Sequence, residues 1–217
     1  MKKFLLVFLL IQICTLNAQK FDFDYILNSE NTREIKQHNY KSYDMVNSKN
    51  HNLYMEVAQN TLSKDLYSIL LDYSDKIIYR FDINKFANNN LKFNYQYASQ
   101  MSGKYPPKTK SFKIEKIGDL AYRIYTSTNA KRKYEDFELF INLQPFEDDL
   151  LIINFEVFTK EQMNAIENLI KNQLQKDSKI GNFYIKEITY NYFKKSVLNK
   201  RITPEKISLT IDIPKEK

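Results

Sequence analysis

The stretch Leu66–Ile83, LYSILLDYSDKIIYRFDI, decides the fold class. Two runs rich in β-branched and aromatic residues, Leu66 to Tyr73 and Lys76 to Ile83, flank Ser74-Asp75, and a two-residue spacer between such runs predicts a tight β-hairpin. Phe112 to Ile117 and Leu120 to Thr126 repeat the arrangement around Gly118-Asp119, where Gly118 can take a positive φ without a Cβ clash. Phe137, Leu139, Ile141 and Leu143 fall on one face of a third strand, with Asp136, Glu138 and Asn142 on the other and Phe140 as the exception. Leu150-Leu151-Ile152-Ile153 is apolar on both faces before alternation resumes through Asn154, Phe155, Glu156 and Val157, the pattern of a strand covered on each side. One helix follows. Thr159 and Gln162 make a capping box, Met163, Ile166, Leu169, Ile170 and Leu174 line one side, and Lys160, Glu161, Glu167, Lys171 and Lys176 take the other. Phe183 to Phe193 and Lys206 to Ile213 read as closing strands, the last bounded by Pro204 and Pro214. The pattern predicts a mainly β (β+α) protein: a curved antiparallel meander, open barrel or half-barrel. One C-terminal amphipathic helix, about 159–176, packs on the sheet and is followed by one or two strands.

Outward from this region, residues 1–18 have the plan of a secretory signal peptide. Lys2 and Lys3 form a positive start, Phe4 to Ile13 an apolar run, and Leu16-Asn17-Ala18 ends in a small residue, predicting cleavage between Ala18 and Gln19. The apolar run is about half the roughly 20 residues a membrane-spanning helix needs, so no transmembrane segment is expected in the mature chain. The expected location is the periplasm or the extracellular space. The single cysteine, Cys14, lies inside this leader, where Gln12 and Ile13 fit a lipoprotein cleavage site poorly; the mature chain then has neither disulfide nor thiol. Residues 19–217 carry no repeat and no Gly/Ser linker, which predicts one domain, with Ser102-Gly103-Lys104-Tyr105-Pro106-Pro107 as a long internal loop. The formal charge is +7, of which Lys2 and Lys3 supply two. The basic clusters are short (Lys131-Arg132-Lys133, Lys194-Lys195 and Lys200-Arg201) and read as solvated turns, so nucleic acid is not an expected partner.

Phe21-Asp22-Phe23-Asp24-Tyr25, Asp44 to Tyr54 and the hairpin around Ser74-Asp75 resemble a group of uncharacterised proteins secreted by Bacteroidota-type bacteria, whose signal peptides are similar to Leu16-Asn17-Ala18-Gln19. The resemblance covers roughly the first 85 residues. It implies export and a β-meander and carries no site residue. In fold alone, many antiparallel strands followed by a helix and another strand are similar to lipocalins and to the half-barrels of periplasmic lipoprotein carriers, both of which enclose apolar ligands. The lipocalin Gly-x-Trp start is missing, and the chain has no Trp.

Chemistry-bearing groups are sparse. His38 and His51, the two histidines, lie thirteen positions apart at no metal-ligand spacing, and no Gly-x-Ser-x-Gly elbow exists to partner them. Asp22/Asp24, Glu135/Asp136/Glu138 and Glu147/Asp148/Asp149 are raw material for a carboxylate hydrolase. The last run follows Pro145 and reads as a solvated turn, without the ligand set of a calcium loop. Tyr95 and Tyr97, and Tyr190 and Tyr192, are placed to share strand faces near Lys92 and Lys186, as in a stacking platform, although aromatic residues also suit strands for packing. No catalytic, cofactor or metal residue is assigned. The expectation is a non-enzymatic exported binding protein for a lipid, another apolar ligand or an envelope protein. The alternatives are a carboxylate-dependent hydrolase of envelope or extracellular polysaccharide and a protein-interaction subunit of an envelope complex.

Overall fold

The structure is a computed structural model describing residues 18–33, 38–59, 65–85, 91–101, 111–126, 137–155, 158–192 and 196–214. Residues 1–17 of the expected signal peptide, the Ser102–Pro107 segment, the Lys131–Lys133 and Lys194-Lys195 clusters, Glu135/Asp136 and Glu156-Val157 lie outside them. Among the described residues, eleven strands and one helix follow in chain order: β1 (Ala18–Arg33), β2 (His38–Val46), β3 (Leu53–Gln59), β4 (Leu66–Asp72), β5 (Ile77–Lys85), β6 (Leu91–Gln100), β7 (Phe112–Lys116), β8 (Ala121–Thr126), β9 (Phe137–Phe146), α1 (Lys160–Lys176), β10 (Asn182–Tyr192) and β11 (Ser196–Pro214). The strands form one sheet in the order β6-β5-β4-β3-β2-β1-β11-β10-β9-β8-β7, antiparallel throughout and not closed between β6 and β7. The protein is therefore mainly β, with one helix packed on an open antiparallel sheet, which fits a curved half-barrel. No described helix is long and apolar enough to cross a membrane.

The first and last strands are neighbours at the centre of the sheet. β1 pairs with β11 from Ala18↔Pro214 to Arg33↔Leu198, whereas β2 joins β1 only from Tyr25↔Val46 onward. The Ala18–Phe23 and Leu209–Pro214 ends thus extend past β2 as a two-stranded ribbon, and Phe21, Phe23, Ile211 and Ile213 join Met45, Met55, Leu70 and Tyr79 in one core. These last four stand opposite one another across β2 to β5, while Val46, Tyr54 and Leu71 occupy the adjacent row on the other face. That other face contributes a smaller cluster, in which Tyr25, Leu27, Val46 and Tyr54 meet Leu150 and Tyr184. A second large core lies under α1, where Met163, Ile166, Ile170 and Leu174 cover Ile124, Leu139, Ile141 and Ile188.

The alternation of β9 holds, with Phe137, Leu139, Ile141 and Leu143 buried. So does the helix: Thr159 accepts from the Gln162 amide, and the Gln162 side chain accepts from the Thr159 amide. Both hairpins form with longer turns than expected. Asp72 pairs with Ile77 across four residues because its Oδ1 accepts from the Ser74 and Asp75 amides, and Lys76, not a glycine, takes the positive φ of 57°. At the second hairpin the Ile117 and Gly118 amides both donate to the Ala121 carbonyl, and Gly118 does not use a positive φ. A Cβ there would stand 3.0 Å from that of Ala121, so its small size is what the turn needs.

Three expectations are corrected. Leu150–Ile153 is not a strand: beyond a single bridge to Tyr184 it runs as an irregular extended strap, with Leu151, Ile153 and Phe155 buried beneath α1. Its amides are served by side chains, Leu151 N by Asp149 Oδ1 and Ile153 N by Glu167 Oε1, which removes the need for a neighbouring strand. Pro204 does not bound β11 but lies within it, opposite Leu27. Beyond Ile202 the strand has lost β10 and keeps only β1, so a residue without an N–H is tolerated on the open side. Lys200-Arg201 is a strand segment rather than a turn, and the Lys200 ammonium donates to the buried Asp44 carboxylate at 2.6 Å.

Candidate functional site

The strap brings together the groups that sequence reading left scattered. It leaves β9 at the Glu147-Asp148-Asp149 turn, where Glu147 stays 60% exposed while all three carboxylates also make side-chain contacts. Tyr25, fully buried on β1, presents its hydroxyl 2.8 Å from Glu147 Oε1 and 2.6 Å from Asp148 Oδ2. Burial and the two carboxylates push its ionisation far above the ordinary tyrosine value. One phenolic proton serves one carboxylate at a time, and Lys206, 3.4 Å from Glu147, supplies the balancing charge. Asp149 binds Leu151 N with one oxygen and the Lys171 ammonium with the other, at 2.6 Å.

Three residues of α1 reach down from one stripe. Lys160 donates to the His51 carbonyl at 2.7 Å, Glu167 accepts from Ile153 N at 2.9 Å, and Lys171 meets Asp149. Positions 160, 167 and 171 are separated by seven and four residues, so they share a helical face beside the apolar one. Glu167, expected on the wet side, is 6% exposed. His51, in the β2–β3 loop, lies beneath it: Nε2 is 3.0 Å from the Asp149 carbonyl and Nδ1 is 3.9 Å from Glu167 Oε2, an ion-pair separation. Because a carbonyl only accepts, Nε2 carries a proton. The Glu167 carboxylate holds the imidazole above its ordinary value of 6.5 against the opposing effect of burial. A ring in which both nitrogens face acceptors fastens the helix and is unsuited to take a proton from a nucleophile. Burial lowers Lys160, whose ammonium also stands 5.1 Å from the Tyr73 ring centroid, and raises Tyr73 to about 12.

The histidines are not a pair. His38 opens β2 and His51 follows its far end, so the nine-residue strand puts roughly 25 Å between them. Among the described residues, no three His, Cys, Asp or Glu side chains gather as a metal site. Asp22 accepts from Thr210 and Asp24 from Ser48, both as local ties. Tyr95 and Tyr97 do not share a face: Tyr95 opposes Phe81 and Tyr97 opposes Arg80, because Gln96 is an extra residue that reverses the alternation. Tyr190 is buried against Phe155 in the core under α1, which removes it from any surface platform.

Beside this latch, where α1 ends, is a groove of about 520 Å³. Leu151, Leu174 and Phe183 form its apolar floor, Lys171 and Lys179 stand on its walls, and Ile180 forms a lip with 98% of its surface exposed. The helix stops there in a Schellman turn. Lys179 N bonds to the Leu174 carbonyl and Ser178 N to the Gln175 carbonyl, with Ser178 at φ 56°; Gly181 then turns the chain into β10 at φ 126°. Both wall lysines are paired, Lys171 with Asp149 and Lys179 with Asp119 at 2.7 Å. The apolar spacing in α1 could have located the floor, but nothing local in the sequence announces a wall drawn from the strap, the helix and β10. The chain matches no protein-family model and no curated protein.

Proposed function

We propose that this is a non-enzymatic exported binding protein, periplasmic or extracellular, that takes an apolar or amphiphilic ligand such as a lipid in the groove at the end of α1. The observation that carries the reading is the juxtaposition of an apolar floor, the exposed Ile180 lip and two lysines. The floor suits a chain, and Lys171 and Lys179, each already ion-paired with an aspartate, give the rim a polar rather than a cationic character suited to a polar head. Export rests on the Lys2-Lys3, Phe4–Ile13 and Leu16–Ala18 pattern. The unclosed sheet with its helix supports the likeness to lipid-carrying half-barrels only in architecture, since α1 and the strap fill the core on their face of the sheet and place the groove at its margin. The hydrolase alternative gains no such support, because Glu147 and Asp148 converge on the Tyr25 hydroxyl instead of facing each other across a cleft.

Native mass spectrometry of the exported protein, with lipid analysis of an organic extract, tests the proposal. The expected result is a stoichiometric apolar adduct, lost on denaturation and lost from Ile180→Asp, with Gln19 as the first residue. A clean apo mass from freshly exported protein would overturn the ligand reading, and a retained leader would overturn the export reading.

A further inference from the structure

Among the described residues, the charges around the groove at the end of α1 are balanced. Asp149, Lys171 and Lys179 are the ionised groups of its lining, and the other polar side chains there, Gln175, Ser178 and Asn182, are neutral. Lys171 meets Asp149 at 2.6 Å, and Lys179 reaches Asp119, in the β7–β8 turn, at 2.7 Å. The Lys179 ammonium holds the Asp119 carboxyl below its ordinary value, so Asp119 is ionised at neutral pH. Beside them Lys116 is matched by Asp177 at 3.3 Å. Lys176, in the last turn of the helix, is not part of the lining.

This arrangement disfavours a charged head. An anionic head gains a lysine only by displacing an aspartate already bound to it, and it would stand at the negative end of the α1 dipole. A cationic head meets two ammonium groups. A hydroxyl donates and accepts at once and meets neither conflict. Each ammonium has three N–H donors to share, and Asn182 donates to the Glu147 carbonyl through Nδ2, which sets Oδ1 as the acceptor end of its amide. The Gln175 amide and the Ser178 hydroxyl add donors and acceptors of the same kind. At about 520 Å³, with Leu151, Leu174 and Phe183 as its floor, the groove has the size of a site for one small ligand and seats a single alkyl chain.

We infer, on the reading of this groove as an amphiphile site, that it selects a single-chain amphiphile whose head is uncharged and hydroxyl-bearing, a glycerol or a sugar, and that Asp119 and Asp149 are the specificity-determining residues that turn anionic lipids away. The two aspartates differ in what else they hold. Asp149 also ties the strap through Leu151 N, whereas the Asp119 side chain is 77% exposed and lies outside the lining, so it can be neutralised without moving a wall.

The test titrates the exported protein, freed of bound lipid, with four dodecyl amphiphiles by calorimetry, each below its micelle concentration. They are glycerol monododecanoate, dodecyl maltoside, dodecanoate and dodecyltrimethylammonium. The first two are expected to bind about fivefold more tightly than the charged pair, with an affinity that added salt does not change. The tighter of the two tells a glycerol head from a sugar. Asp119→Asn releases Lys179, so dodecanoate gains about threefold while the uncharged ligands keep their affinity. That change of ratio within one set of ligands separates head-group selection from differences in chain partitioning. Equal or tighter binding of dodecanoate by the wild type, or a ratio unchanged in Asp119→Asn, overturns the inference and leaves the ligand reading standing. If none of the four binds, or if binding survives Ile180→Asp, both fall.

Discussion

A carboxylate withdrawn from water needs a donor, and Glu167 takes the Ile153 amide. Glu167→Ala leaves that buried N–H unpaired and is expected to cost about 1–3 kcal/mol in urea unfolding. His51 adds a pH dependence of known sign. Its folded value is raised, so its stabilisation is complete below 6.5 and disappears as the pH rises through the higher folded value. The gap in urea midpoint between wild type and Glu167→Gln should therefore narrow as the pH is raised from below 6.5; a gap that stays constant would show that the ion pair contributes nothing. A different deficit exists at Ser68, fully buried on β4 with a hydroxyl that has no partner among the described residues. Ser68→Ala is expected to raise stability by about 1 kcal/mol, read from the same midpoints. None of these roles was legible locally. The helical period put Glu167 with the charged face because its partner is a backbone group fourteen residues upstream, and His51 meets Asp149 only after the strap has crossed the sheet.

At the scale of elements, the parts built from short-range chemistry were legible: the hairpins, the alternation of β9 and the capping box of α1. Turn length was not, because Asp72 and Ala121 reorganise their turns through bonds that a spacing rule does not contain. The strap was misread as a strand for a related reason. Apolar residues on both faces signal two-sided burial, and burial between a sheet and a helix satisfies that signal without a ladder. The end of α1 offers a direct check. Ser178 holds the left-handed position that glycine occupies without a Cβ penalty, so Ser178→Gly should stabilise the protein by about 1 kcal/mol in thermal or urea unfolding, despite the greater freedom of the unfolded chain. A loss of stability would mean that the serine side chain holds the groove wall in a way its backbone angle does not reveal.

For the whole molecule, the decisive feature is that β1 and β11 separate two large cores while the cluster around Tyr25, Leu150 and Tyr184 links the two halves of the sheet. Ile211→Ala, in the ribbon, should cost about 2–5 kcal/mol. The helix signal at 222 nm, which reports the other core, should shift to lower urea together with tyrosine near-ultraviolet dichroism. Separate midpoints would show that the halves unfold independently. The meander from β1 to β6 follows chain order and suits a sequence reading, but the β1–β11 pairing joins residues nearly the length of the chain apart and leaves no periodic trace. That pairing also imposes a timetable on biosynthesis. A ribosome releases β1 first and β11 last, so Phe21 and Phe23 wait through nearly the whole of translation for Ile211 and Ile213. Until β11 emerges the central seam is open, and the unfinished chain keeps Phe21 and Phe23 without their cross-strand partners.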